Sequence, residues 1–111
     1  MSDHELILRN KVAGDEPREG IAAAVALCTV FLFAKEAFEE AELILLEKVG
    51  LQSLQDGYVI ELTLGDLYIR MKENSRAARF LTVAGTSPNE AIRQQANNLM
   101  AKLREDSPKN E

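Results

Sequence analysis

Gly65 and Ala77 stand twelve residues apart in the pattern Leu64-Gly65-x-x-Tyr68, then Ala77-x-x-x-Leu81, with the turn signal Glu73-Asn74-Ser75 between them. A small residue on each of two helices lets the backbones approach, and the larger residues fill the gaps on either side. This pairing predicts an antiparallel hairpin, its first helix over about Tyr58 to Lys72 and its second over Ser75 to Ala84. Composition agrees: aromatics are 5% of 111 residues, Trp is absent, and Ala and Leu are abundant, a bias toward helix over strand.

The remaining helices are set by their start and stop signals. Ser2-Asp3-His4-Glu5 reads as a capping box opening a short helix that Gly14 ends after Ala13. Pro17 suits the first turn of a second helix, over about Arg18 to Ala34, because its missing amide costs nothing there. Lys35-Glu36 marks a turn. A third helix carries Phe38, Ala41, Leu45 and Val49, and Gly50-Leu51 predicts a Schellman ending with a left-handed glycine. Ser53 to Gly57 is a breaker, with Ser53 or Asp56 as candidate caps. Ser87-Pro88-Asn89-Glu90 predicts the start of a sixth helix, serine as cap and proline first, running to about Arg104. The class is all-α, with about six helices.

A shift of 36 residues superimposes the two middle hairpins: Ala41 on Ala77, Leu45 on Leu81, Cys28 on Leu64, Leu32 on Tyr68 and Phe33 on Ile69. Leu64, Gly65, Tyr68, Ala77, Leu81 and Ala84 resemble the signature of the tetratricopeptide repeat over Tyr58 to Ala91. Glu61 departs from it, standing where that family usually has a large aromatic, and Pro88 comes one residue early. Over Ala22 to Gln55 the likeness is weaker, with Thr29 in place of the glycine and a spacing longer than the family's roughly 34 residues. The resemblance implies a short TPR-like α-solenoid of antiparallel helix hairpins with a concave binding face. It divides the chain into an N-terminal helix or arm at 1–14 and a helical domain at 15–104. Within that domain lie repeats at about 22–55 and 58–91 and a capping helix at about 88–104; residues 105–111 form a tail expected to fray.

The face not used by the motif carries the functional expectation. On a wheel of about 100° per residue, Ile60, Leu64, Leu67, Tyr68 and Met71 form the packing stripe of the fourth helix. Val59, Leu62 and Ile69 lie nearly opposite, interrupted by Asp66. The same positions one repeat earlier are Ala23, Ala26, Val30 and Phe33. By resemblance these residues line the concave groove, with Met100 and Leu103 of the sixth helix completing it beside the single stripe Ile92, Ala96, Leu99 and Leu103. An apolar groove of this kind marks a partner site. Its occupant is an amphipathic helix of another protein, a second copy of this chain, or the helix at 3–13 folded across it. The leading expectation is a small cytoplasmic chaperone or adaptor. Size, acidity and an apolar groove also resemble the small tetratricopeptide chaperones of type III secretion needle subunits. The rival is a structural homodimer, or assembly scaffold, using the same groove as an obligate interface.

Other functions find little purchase. Thirteen basic against eighteen acidic residues, net −5, argue against nucleic-acid binding. The uncharged run Gly20 to Ala34 is shorter than the ~20 residues a spanning helix needs, and its acidic leading flank fits a signal peptide poorly. Neither stable membrane insertion nor a cofactor is expected. His4 has no second histidine with which to build a metal site or catalytic pair. Cys28, the single cysteine, matches the packing position Leu64 and reads as a core thiol in a reducing compartment. Asp66 is placed to pair with Arg70 four residues on, or to bond a partner's backbone. Acidic residues crowd the third helix, while basic residues dominate Arg70 to Arg104, a division suited to steering a charged partner. No enzyme is expected.

Overall fold

A computed structural model describes residues 2–52 and 56–106, and the fold over those residues is all-helical. Six α-helices occur among them: α1 Asp3–Ala13, α2 Pro17–Ala26, α3 Phe38–Val49, α4 Val59–Arg70, α5 Asn74–Ala84 and α6 Glu90–Asp106. A π-helical segment, Leu27–Leu32, continues α2. No strand occurs among the described residues, and none of their helices is long and apolar enough to cross a membrane. The contacts separate two units, Met1–Gln55 and Asp56–Glu111.

In the second unit α4, α5 and α6 pack on one another. Their core is Ile60, Leu64, Leu67, Tyr68, Ala77, Leu81, Ala84, Ile92, Ala96 and Leu103, all buried. The close approach expected at Gly65 is present. A Cβ on Gly65 would lie 2.4 Å from Leu81 Cδ2 and 2.6 Å from Leu81 Cγ, a distance no carbon tolerates. In the first unit α1, α2, the π-helical segment and α3 pack around Leu8, Ile21, Ala23, Ala24, Leu27, Cys28, Leu32, Phe33, Ala41 and Leu45. Thr29, at the repeat position of Gly65, points to solvent and its hydroxyl donates to Val25 O at 2.8 Å. The wider turn, in which Phe33 N reaches Cys28 O at 2.9 Å, places Cys28 on the buried side with Thr29 outward. A branched residue at the repeat position is thus accommodated on the exposed side.

The 36-residue relation recurs in the turns. Glu36 and Lys72, one repeat apart, both adopt left-handed backbone, with φ of 58° and 64°. Around each, the same two bonds form. Ala37 N donates to Leu32 O at 2.9 Å and Glu36 N to Phe33 O at 3.1 Å; Glu73 N donates to Tyr68 O at 2.8 Å and Lys72 N to Ile69 O at 3.1 Å. Both are Schellman motifs, which satisfy carbonyls left open at a helix end.

Several boundary expectations are corrected. Gly50 is right-handed at φ −74°, and Leu51 is exposed; the Leu51 N–Lys48 O bond of 3.0 Å closes α3 with a tight turn, so no Schellman motif is needed there. Ser2 does cap α1, accepting from Glu5 N at 3.1 Å, but the Glu5 carboxylate turns to Arg9 and Lys35 instead of reaching back. The residue capping α6 is Asn89, whose Oδ1 accepts from Ala91 N at 2.9 Å and Ile92 N at 3.2 Å. Ser87 is buried before it and accepts from Asn89 N at 2.9 Å, with Pro88 in the turn. The cap position of α4 is Tyr58, at φ 63° and with no side-chain cap, rather than Asp56; Ser53 lies outside the described residues. Gly57 precedes it at φ 61°, where a Cβ would meet Ser87 Oγ at 3.0 Å and Ile92 Cδ1 at 3.2 Å. Of the tail expected to fray, Glu105 and Asp106 continue α6, and 107–111 lie outside the described residues.

Gly65→Ala should destabilise the protein by about 1–3 kcal/mol, because Leu81 must leave its place. Chemical denaturation of the pair measures this, and equal midpoints would mean that α4 and α5 separate freely. Lys72→Gly should act in the opposite direction. It relieves a left-handed side chain at the cost of a more flexible unfolded chain, a net gain of about 0.5–1 kcal/mol in the same experiment.

Candidate partner-binding faces

The ten residues expected to line a groove fall into distinct environments. In the first unit Ala23 and Phe33 are buried, Ala26 is half-buried and Val30 is 55% exposed. The reason for Ala23 lies in α1, which packs along α2: Leu8 of α1 lines a shallow depression of about 250 Å³ together with Lys11, Glu19, Ala22, Ala23 and Ala26. The N-terminal helix therefore occupies the Ala23–Ala26 side of that stripe. In the second unit Leu62 is buried, and Val59, Asp66 and Ile69 are half-buried along α4. Leu103 is buried in α6. Met100 is half-buried on the rim of a depression of about 360 Å³ shared with Leu81, Thr82, Gly85, Thr86, Asn97 and Arg104. Asp66 makes the local pair, with Arg70 Nε at 3.1 Å from its Oδ1.

Polar ties, not apolar area alone, hold α1 in place. The apolar residues of α1 do not gather on one face, and Leu6 and Ile7 are each half-exposed. Glu5, in contrast, is 2% exposed and receives Lys35 Nζ at 2.7 Å on one oxygen and Arg9 at 3.0 Å on the other. Arg9 continues to Glu40 of α3 at 2.6 Å. Hydrogen bonding from Lys35, followed by that from Arg9, holds the Glu5 carboxyl below the ordinary carboxylate range in spite of its burial. Arg9 does the same to Glu40, and the two carboxylates raise the Arg9 guanidinium in turn. At the other end of α1, the buried Lys48 of α3 donates from Nζ to Val12 O at 2.8 Å. A cation there meets the negative end of the α1 dipole. Gly20 leaves room for it, since a Cβ would lie 3.3 Å from that nitrogen.

One further face lies outside the expected groove. Phe80 of α5 stacks on Tyr68 of α4, with centroids 5.6 Å apart and planes at 24°, and Arg76 lies 5.7 Å from the Tyr68 ring centre. With Arg79 and Val83 these residues line a depression of about 290 Å³. Its signal in the sequence is Arg76, Arg79, Phe80 and Val83 at helical spacing, which a reading by charge alone absorbs into a basic C-terminal half.

The groups with reactive side chains are engaged in packing. His4 packs its ring on Phe31 at 5.7 Å. Cys28 is fully buried, and burial pushes its thiol up to about 12, so it stays protonated at neutral pH. Among the described residues no cluster of three or more His, Cys, Asp or Glu is placed to hold a metal ion. Comparison with protein-family models, with curated proteins and with solved structures gives no match to this chain.

The Glu5 tie carries a pH signature. Its folded-state pKa is depressed, so its contribution is complete above the unfolded carboxyl value of about 4.3 and is lost as pH falls through the folded value. Glu5→Gln should lower the unfolding midpoint at pH 7, with the gap to the unsubstituted protein closing in acid. A constant gap at pH 7 and pH 3 would show that charge at Glu5 contributes nothing.

Proposed function

We propose that this chain is a protein–protein interaction module of tetratricopeptide type, acting as a small cytoplasmic chaperone or adaptor that holds an amphipathic helix of a partner. The recurrence of one hairpin design supports the repeat reading: buried counterparts at Cys28 and Leu64, Ala41 and Ala77, Leu45 and Leu81, and matching left-handed turns at Glu36 and Lys72. Stacking of such hairpins into a short solenoid belongs to the same proposal.

The observation that carries the binding role is the second face of α4. Ile60, Leu64, Leu67 and Tyr68 already supply its core contacts, yet Val59, Leu62 and Ile69 are apolar as well, with Val59 and Ile69 left half-exposed beside Asp66. α4 packs on both α5 and α6, and Val59 and Ile69 leave apolar surface in water beyond those contacts. Val59 and Ile69 provide side-chain anchors, and Asp66 provides a polar group at the edge to set register. Binding rather than catalysis is also favoured by the state of the reactive groups, with Cys28 protonated in the core and His4 packed on a ring. The narrower likeness to the chaperones of type III secretion needle subunits rests on size, acidity and this apolar face.

Because Leu62 and Phe33 are buried, charged substitutions there would disturb the core. Ile69 is the better probe. With a photo-crosslinking amino acid at Ile69, and at exposed Arg18 as a control, irradiation in cells of the source organism should join a second protein to the chain only from Ile69. Adducts solely between copies of the chain would replace the adaptor reading with the homodimer, and absence of any adduct specific to Ile69 would remove both.

A further inference from the structure

Two faces outside the α4 surface are opposite in charge. On α3, Glu39, Leu43, Leu46 and Gly50 fall along one side of the helix, with Glu42 and Glu47 flanking them. Leu43 is 72% exposed and Leu46 45%, and Leu51 continues the strip just past the helix at 52%. Large apolar side chains this exposed, in line and bordered by acids, form a face awaiting cover. The only basic residue of α3, Lys48, is turned into the core, where it serves Val12 and reaches Glu47 at 3.4 Å from beneath. From α3 itself, the face therefore presents carboxylates alone around its leucines.

On α5 the corresponding side is the reverse. Arg76, Arg79, Phe80 and Val83 share one side, and the helix contains no acid. Phe80 and Tyr68 provide a stacked aromatic floor, Val83 is 40% exposed, and the two arginines border a depression of about 290 Å³. In the repeat α3 and α5 are equivalent helices, yet their characters are exchanged: Glu40 matches Arg76, Leu43 matches Arg79, and Glu47 matches Val83. Leu43, Leu46 and Val83 are all exposed.

We propose that copies of this chain associate head to tail, the leucine–glutamate face of α3 on one copy seating in the arginine–aromatic face of α5 on the next. Leu43 and Leu46 enter against Phe80 and Val83, while Glu39 and Glu47 meet Arg79 at the rim. The two faces differ, so the contact is heterologous, and every pair of copies keeps one free face of each kind. Rim charges of this sort steer encounter and fix register, which makes the association salt-sensitive. The proposal stands apart from the partner reading for Ile69, because it uses neither α4's second face nor any foreign protein.

The test is complementation. Light scattering of the full chain at low salt should give a mass that rises with concentration above that of one chain and falls when salt is added. Leu43→Arg spoils only the α3 face, and Val83→Glu only the α5 face; both sites are solvent-exposed, and circular dichroism checks that the helices survive. Each variant alone should associate at least ten-fold more weakly. Mixed in equal amounts, they should form a one-to-one dimer, the intact α3 face of Val83→Glu on the intact α5 face of Leu43→Arg. A mass of one chain at every concentration of the unsubstituted protein overturns the proposal. So does undiminished association of either variant, or failure of the mixture to pair. If the variants behave as expected while Ile69 gives no adduct, the partner reading fails alone; the converse removes only the head-to-tail contact.

Discussion

The backbone of α4 runs so close to α5 at Gly65 that Leu81 fills the volume a Cβ would need. That approach sets the second unit. It brings Leu64, Tyr68, Ala77 and Ala84 into one core, and it lets Phe80 lie over Tyr68, which builds the arginine–aromatic depression as a by-product of packing. The first unit solves the same hairpin without a glycine. It uses a π-helical turn to send Thr29 outward and bring Cys28 in against Ala41. A glycine and a widened turn are thus two ways of setting a core side chain against the facing helix.

Electrostatics hold the N-terminal helix in the first unit. The buried carboxylate of Glu5 gathers charges from α1 and from the turn after the π-helical segment, and Arg9 extends the chain of contacts to α3. A buried carboxylate is costly unless both oxygens are paired, and both are. Lys48 does the corresponding work at the other end of α1. An arm whose apolar residues are scattered is held by its two polar ends.

Helix identity was legible because apolar spacing and breakers agree at most positions, as at Pro17, Gly14 and Glu73-Asn74-Ser75. Ends were less so, for a physical reason. Sequence rules assign left-handed turns to glycine, whereas here the left-handed endings fall on Glu36 and Lys72, and Gly50 stays right-handed. Packing of the two helices dictates where the chain must reverse, and an ordinary residue bears the strain. Asn89 and Ser87 both look like caps in the sequence; only geometry decides which amides each meets. The proposed groove was legible as a pattern, since two apolar sides on one helix are visible from spacing alone. Which of its residues become buried depends on neighbours the pattern does not specify, such as Leu8 beside Ala23. Stacking of Phe80 on Tyr68 joins residues twelve apart on different helices, and no local periodicity announces it.

The π-helical segment gives the two units different surfaces. The offset between them stays at 36 residues on both sides of Leu27–Leu32, from Ala24 and Ile60 to Ala41 and Ala77, so the wider turn adds no residue and alters only the direction of the side chains within it. Thr29 and Val30 are exposed where Gly65 is buried and Asp66 half-buried, and Phe33 is buried where Ile69 is half-exposed. Winding, and not chain length, lets one hairpin plan carry two different outer faces.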